Sequence, residues 1–221
     1  MANWARPRRI ACTPRLVVMA KAPIAGSVKS RLARDIGEAA ALRFYRATLF
    51  RTLRSLGADP RWRTYLAVTP DTARTAAYWP PPANVARIAQ GAGDLGARMQ
   101  TLFDSMPPGP VVIVGSDIPA IRPAHIARAF ALLGRADAVF GPAKDGGFWL
   151  VGLKRSPARL APFAHVPWST DAALAATAAN LRGKKVAYAH ALSDIDNADS
   201  YRRERAAAMR LVTCRVQRAC R

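Results

Sequence analysis

Leu16-Val-Val-Met-Ala-Lys-Ala-Pro-Ile-Ala-Gly-Ser-Val-Lys-Ser-Arg-Leu32 decides the fold of this chain. Its first five residues are a continuous apolar run, the pattern of a strand buried on both faces. The run empties into a Gly/Pro loop, and a long amphipathic segment of helical period follows it. Lys21, Lys29 and Arg31 place three cations around that loop, and Gly26 lets the main chain approach a ligand closely. Backbone N–H groups in such a turn, with cations beside them, suit a polyphosphate. The loop is neither a GxxxxGKS/T nor a GxGxxG sequence. A surface turn with solvated cations is the competing reading.

Outward from this stretch, strand and helix alternate. Leu42, Tyr45, Leu49, Leu53 and Leu56 recur at helical spacing over residues 38–56, and Gly57 stops the pattern. Residues 64–69 read as a second strand, followed by a short helix from about Asp71 that Pro80-Pro-Pro82 breaks. A brief strand at 85–89 leads through Gln90-Gly-Ala-Gly-Asp-Leu-Gly96 into a helix reaching Phe103. Residues 111–114 are a buried strand, and Pro123 opens the next helix at its first turn. Strands at 138–140 and 148–151 flank Gly141-Pro-Ala-Lys-Asp-Gly-Gly147. A helix at 171–181, a strand at 186–189, the acidic turn Ser193-Asp-Ile-Asp196 and a basic helix complete the chain. This alternation predicts one α/β domain with a mostly parallel sheet, spanning 15–211 between a basic arm (1–14) and a basic tail (212–221). Ligands of such sheets bind at the carboxyl edge, which the loops after Met19, Val114 and Phe140 leave.

Composition narrows the function classes. The 221 residues, 51% hydrophobic and 22% charged, suffice for one folded domain with a sizeable core. No apolar run is long enough to span a bilayer. Pro14 and Arg15 interrupt the apolar run after the basic N-terminus, which disfavours a secretory leader. Cys12, Cys214 and Cys220 form no CxxC pair, in keeping with a reducing cytoplasm. Lys and Arg number 34 against 14 Asp and Glu, a net charge of +20 that attracts polyanions. No RNP, KH, zinc-finger or helix-turn-helix pattern accompanies the charge, so nucleic acid is disfavoured as a partner. The excess reads as solvated surface plus attraction for phosphorylated substrates. A basic nucleic-acid-binding or regulatory protein on a transferase fold is the alternative.

Several side chains could carry chemistry. Asp117 ends a buried strand and faces the cationic loop, a suitable position for a Mg²⁺ held by carboxylates, waters and substrate phosphates. Its other reading is a cap on the next helix, against which Pro119 and Pro123 intervene. Asp194 and Asp196 offer a second carboxylate group, or a simple acidic turn leading to an Asn197 cap. Asp145-Gly146-Gly147 permits either close approach of a ligand or a tight hairpin reversal. Trp168-Ser169-Thr170 reads either as an N-cap with an anchoring aromatic or as a wall of an acceptor pocket. Gly93 and Asp94 lie in a further Gly-rich loop, with Arg98 a turn later. His125, His165 and His190 lack metal-ligand spacing, and no GxSxG elbow or Cys–His pairing is present, so no protein nucleophile is called for.

The ordered set Lys21-Ala-Pro, Gly26, Val28-Lys-Ser-Arg-Leu32, Gly93-Asp-Leu-Gly96, Arg98-Met99, Gly115-Ser-Asp-Ile-Pro119, Gly141-Pro, Asp145-Gly-Gly147, Trp168-Ser-Thr170 and Asp194-Ile-Asp196 resembles the DUF2064 family. That family belongs to the nucleotide-diphospho-sugar transferase superfamily, with the GT-A (spore-coat-polysaccharide-protein-like) fold. The resemblance runs from about Leu16 to about Asp199. It implies a Rossmann-like three-layer α/β/α sandwich, a Mg²⁺ or Mn²⁺ ion, a nucleoside triphosphate or nucleotide sugar, and a small-molecule acceptor. Members are described as glycosyltransferases, some linked to arsenosugar biosynthesis, or as relatives of molybdenum-cofactor and phospholactate guanylyltransferases. Carried onto this sequence, Lys21, Ala22, Pro23, Gly26, Lys29 and Arg31, with Gly93, Asp94 and Ser116, correspond to the nucleotide site. Lys29, Arg31 and Asp117 take the catalytic roles, Asp117 with Asp194 and Asp196 the metal. Asp145, Gly146, Gly147, Trp168, Ser169 and Thr170 take the acceptor; a homodimer is compatible with the resemblance. The family commonly has Thr at Ser30, Tyr at Phe148 and often an acid at Lys144. Lys144 thus adds a cation near the site.

Overall fold

A computed structural model describes residues 13–79, 85–155, 159–204 and 206. The expected 1–14 arm (bar its last two residues), the Pro80-Pro-Pro82 break, the 212–221 tail and all three cysteines lie outside the described residues. The chain runs β1 (Arg15–Lys21), α1 (Ser30–Ile36), α2 (Glu38–Gly57), β2 (Arg63–Thr69), β3 (Ala86–Ala89), α3 (Leu95–Ser105), β4 (Val111–Gly115), α4 (Pro123–Leu133), β5 (Ala138–Pro142), β6 (Phe148–Leu153), α5 (Ala173–Ala179) and β7 (Val186–Tyr188). The segment after β2 is a 3₁₀ turn, Asp71–Thr75, not an α-helix. The expected helix at 171–181 is shorter at both ends, and its N-cap, Ala172, offers no side-chain acceptor.

The strands form one seven-stranded sheet in the order β3-β2-β1-β4-β6-β5-β7. β1 lies parallel to β2 and β4, β3 parallel to β2, and β7 parallel to β5. β6 is antiparallel to both its neighbours because a tight hairpin joins it to β5. β5 therefore points the same way as β1 and β4, and the β5–β6 hairpin turn falls at their carboxyl edge.

Side chains alternate across each strand, so the continuous apolar runs feed two cores. Leu16, Val18, Val112, Val114 and Leu150 pack with Leu49 and Leu53 of α2 and Ile126 of α4 on one face. Val17, Ile113, Phe140 and Val151 pack with Met99, Leu102 and Phe103 of α3 on the other. The result is a three-layer α/β/α arrangement. A third cluster joins Leu32 of α1 and Ala41 of α2 to Ile195, far along the chain. That small contact brings the acidic turn to the head of the sheet.

Candidate active site

The loop after β1 turns into α1 at Lys29, which has φ +51° and ψ +43°, in the left-handed region. A lysine is a poor choice there on two counts: a Cβ disfavours this conformation, and a cation opposes the positive end of the helix. What offsets both is acidic. Lys29 Nζ lies 2.6 Å from Asp117 Oδ2, 2.7 Å from Asp196 Oδ1 and 3.9 Å from Asp194 Oδ2. Its side chain is 5% exposed, so the ammonium has little water to replace these partners.

The carboxylates arrive from two directions. Asp117 follows β4 and takes no part in capping α4, whose N-cap is Arg122. Asp194 and Asp196 flank Ile195, which is buried among Leu32 and Ala41. With Ile195 anchored between them, both acids reach Lys29, Asp196 at 2.7 Å and Asp194 at 3.9 Å. Asp35 of α1 accepts from the Ala198 N–H at 2.9 Å and holds the segment's far end. Asn197 caps the next helical turn through Ser200 N–H, leaving the two aspartates to the site.

One carboxylate oxygen each from Asp117, Asp194 and Asp196 lies within 4.8 Å of the others, the separation expected of ligands to one cation. Burial, then the charge of Asp196, raises the Asp194 carboxyl from 3.8 to about 6 despite Lys29. Burial also acts to raise Asp196, but the hydrogen bond and charge of Lys29 win and hold it below its ordinary value. Burial likewise works against the Lys29 ammonium, and Asp117 and Asp196 outweigh it. The cluster carries more negative charge than one ammonium balances. Its hard oxygen donors fit Mg²⁺ or Mn²⁺, with Lys29 standing where a cation belongs.

A cavity of about 560 Å³ opens over the carboxyl ends of β1 and β4, with Lys21, Lys29, Arg31, Ser116, Asp117 and Asp196 on its wall. Tyr45 organises its floor. The phenol donates to Lys21 O at 2.9 Å, accepts from Lys21 N–H at 3.0 Å and meets Ser116 Oγ at 3.2 Å. Burial pushes its pKa to about 12, so it stays protonated as a clamp between the two strand ends. The buried Gln90 amide donates to Ala20 O and Ala67 O and ties β1 to β2 in the same way. Tyr45 had read only as one position on an apolar helix face, and Gln90 only as the start of a Gly-rich loop.

A second cavity, of about 240 Å³, adjoins the first and shares Gly115, Asp117, Phe148 and Trp149 with it. Asp145, Gly147, Trp168, Ser169, Thr170 and Asp194 also face it. Gly146 does not. Its φ of +82° and the backbone of Asp171, which a Cβ would strike, make it the tight point where the hairpin docks beside α5. Ala22 and Pro23 are buried in the loop's base, and Pro23 O accepts from Arg46 at 3.0 Å. Gly26 supplies a turn at φ +73°. Asp94 spends its carboxylate capping α3 at Ala97 N–H, and Gly93 O accepts from Arg98. These five shape or border the site but are not on the wall of the larger cavity.

Residues 52–170, more than half the chain, match the family described as "Uncharacterized protein conserved in bacteria (DUF2064)". The chain belongs to the DUF2064 family. The matched segment carries Asp117, Asp145 and Trp168; Lys29 and Asp194 lie outside it. A Desulfovibrio desulfuricans G20 protein, provisionally described as a nucleotide-diphospho-sugar transferase, superposes with a TM-score of 0.75 at 27% identity. That similarity covers 84% of this chain and 83% of the other. The Mycobacterium tuberculosis H37Rv protein Rv0371c, solved with manganese, gives 0.52 at 17% identity over 87% of this chain and 97% of its own. A CMP:2-keto-3-deoxy-manno-octonic acid synthetase solved with CTP gives 0.57 at 9% identity over 90% and 99%. The last two likenesses establish the fold. No curated protein matches the chain. The architecture is thus that of nucleotide-diphospho-sugar transferases and nucleotidyltransferases, and no described helix is long and apolar enough to cross a membrane.

Proposed function

We propose that this protein is a metal-dependent transferase that moves a group from a nucleotide-activated donor, a nucleoside triphosphate or nucleotide sugar, to a small-molecule acceptor. The observation that carries this reading is the convergence of Asp117, Asp194 and Asp196 on Lys29, beside a cavity that Lys21 and Arg31 also line. Support also comes from the manganese and CTP reported for proteins of this fold.

Asp117, Asp194 and Asp196 would hold Mg²⁺ or Mn²⁺, which supplies Lewis-acid neutralisation of phosphate charge. Lys21 and Arg31, both exposed at the larger cavity, attract the donor's phosphates. Lys29, already at the acids, offsets negative charge that builds on the departing group. Ser116, set by Tyr45, offers a hydroxyl beside the same position. Such a site works by positioning and charge stabilisation, with no covalent intermediate on the protein. Two outcomes share this machinery. Attack on the α-phosphorus releases pyrophosphate; attack on an anomeric carbon releases a nucleoside diphosphate.

Incubation with Mg²⁺ and panels of nucleoside triphosphates and nucleotide sugars tests the reading, since the released product names the reaction. Asp117→Asn should lower turnover by on the order of 10²–10³ while leaving the melting temperature near that of the unaltered chain. Full turnover in that variant would refute the assignment.

A further inference from the structure

The two adjoining cavities differ in charge. Lys21, Lys29 and Arg31 line the larger one, together with Asp117 and Asp196. Among the described residues, no lysine, arginine or histidine lines the smaller one, whereas Asp117, Asp145 and Asp194 all face it. The remaining surface is aromatic and hydroxylic: Phe148, Trp149 and Trp168, then Ser169 and Thr170.

Each wall has a definite position. The Trp149 indole N–H donates to His190 O at 2.9 Å, which locks the ring between the two cavities. Phe148 and Trp168 meet edge to face, with centroids 6.2 Å apart. Gly96 leaves room for the Trp168 ring, because a Cβ there would fall 2.6 Å from it. Asp145 Oδ1 accepts from Gly147 N–H at 3.0 Å, and no described residue donates to its Oδ2. Lys144 is exposed and is not on the wall, so the cation that set this sequence apart does not enter the pocket.

We propose that the smaller cavity is an acceptor subsite for an uncharged or cationic polyhydroxylated molecule, such as a sugar, an amino sugar or a polyol, and that it discriminates against phosphorylated acceptors. Ring C–H faces pack on aromatic walls, while hydroxyl or ammonium hydrogens donate to carboxylates. A phosphate ester placed there would face three carboxylates with its own negative charge and find no cationic partner. Lys29 is not on this wall, and its ammonium is already engaged, 2.6 Å from Asp117 and 3.9 Å from Asp194. A metal held by Asp117 and Asp194 would leave Asp145 as the unneutralised charge that an acceptor meets, which keeps the selectivity. This inference rests on the donor reading above and adds to it the class of acceptor.

Matched sets test it: glucose, glucosamine and glucose 6-phosphate, then glycerol and glycerol 3-phosphate. Their affinities for the full chain are measured by saturation-transfer NMR at pH 7.5 with Mg²⁺ and a nucleoside diphosphate. The neutral and amino members should bind at least about tenfold more tightly than their phosphate esters. Asp145→Lys should reverse that order. Asp145→Asn, which keeps the size of the side chain, should narrow it. Equal or tighter binding of the phosphate esters by the unaltered chain, or no binding of any member, would overturn the inference. Binding of Mg²⁺ and nucleotide is recorded in the same samples. Its absence overturns the donor reading, whereas a failed acceptor ranking beside intact nucleotide binding overturns only the present inference.

Discussion

Replacing Lys29 by Met should make the protein bind Mn²⁺ more tightly and work more slowly. The methionine keeps most of the buried stem and removes the charge. Three carboxylates within 4.8 Å of one another then lose their internal cation. Two unit charges at that separation repel by roughly 3–4 kcal/mol at an effective dielectric near 20. Water reduces this, since the side chains of Asp117 and Asp196 are 31% and 44% exposed. Breaking a buried ion pair costs about 3–5 kcal/mol, so about 2 kcal/mol is the expected loss for the metal-free protein here. Calorimetry in EDTA should show that loss as a melting temperature lower by about 4–8 °C. Mn²⁺ no longer competes with a tethered ammonium, so its dissociation constant, titrated without nucleotide, should fall by about 30-fold. Turnover should drop by about 10² or more, because the same charge is missing when the leaving group departs. An Mn²⁺ affinity unchanged or weakened in Lys29→Met would mean that ammonium and metal do not share a position, and the argument would fail.

Ile195→Ala should cost about 2–4 kcal/mol and weaken Mg²⁺ binding, because the buried side chain anchors Asp194 and Asp196. Equal Mg²⁺ affinity in variant and parent, read by isothermal titration, would rule out that anchoring role. Gly146→Ala should destabilise by more than about 1 kcal/mol in urea titrations, since φ is +82° and a Cβ meets the Asp171 backbone. Proton competition should also be visible. Asp194 has its carboxyl raised to about 6, chiefly by burial, so below that pH a metal must displace its proton. With the folded value above the unfolded one, the stability this group contributes is fully present below about 3.8 and is lost as pH rises through about 6. Mg²⁺ relieves that loss, so its melting-temperature increment should be larger at pH 7.5 than at pH 5. An increment that does not vary with pH would count against Asp194 as a ligand.

Much of the site could be read from residue order, because its parts sit where periodicity stops. Asp117 ends the apolar run of β4, and Lys29 and Arg31 follow that of β1. Alternation alone therefore placed them at one edge of a parallel sheet. Tyr45 and Gln90 escaped notice for the opposite reason. A tyrosine at a core position of α2 looks like packing until its hydroxyl is seen between Lys21 and Ser116, and a buried glutamine looks like a loop residue until its amide bridges two strands. Asp94 has a role that the Gly-rich loop did not announce: its Oδ1 caps the first turn of α3.

The amino-acid sequence by itself determined the α/β class, the strand and helix order, and the cationic and acidic residues at loop positions. All of these are local, resting on apolar period, Gly/Pro punctuation and the chemistry of single side chains. The family resemblance implied that Asp194 and Asp196 join Asp117; the tertiary structure shows them meeting, and it alone decided that Lys29 lies among all three. It also decided that lysine and arginine line one cavity and, among the described residues, not its neighbour. Those outcomes depend on long-range packing, above all Ile195 against Leu32 and Ala41. No periodicity within a single segment records a contact of that kind.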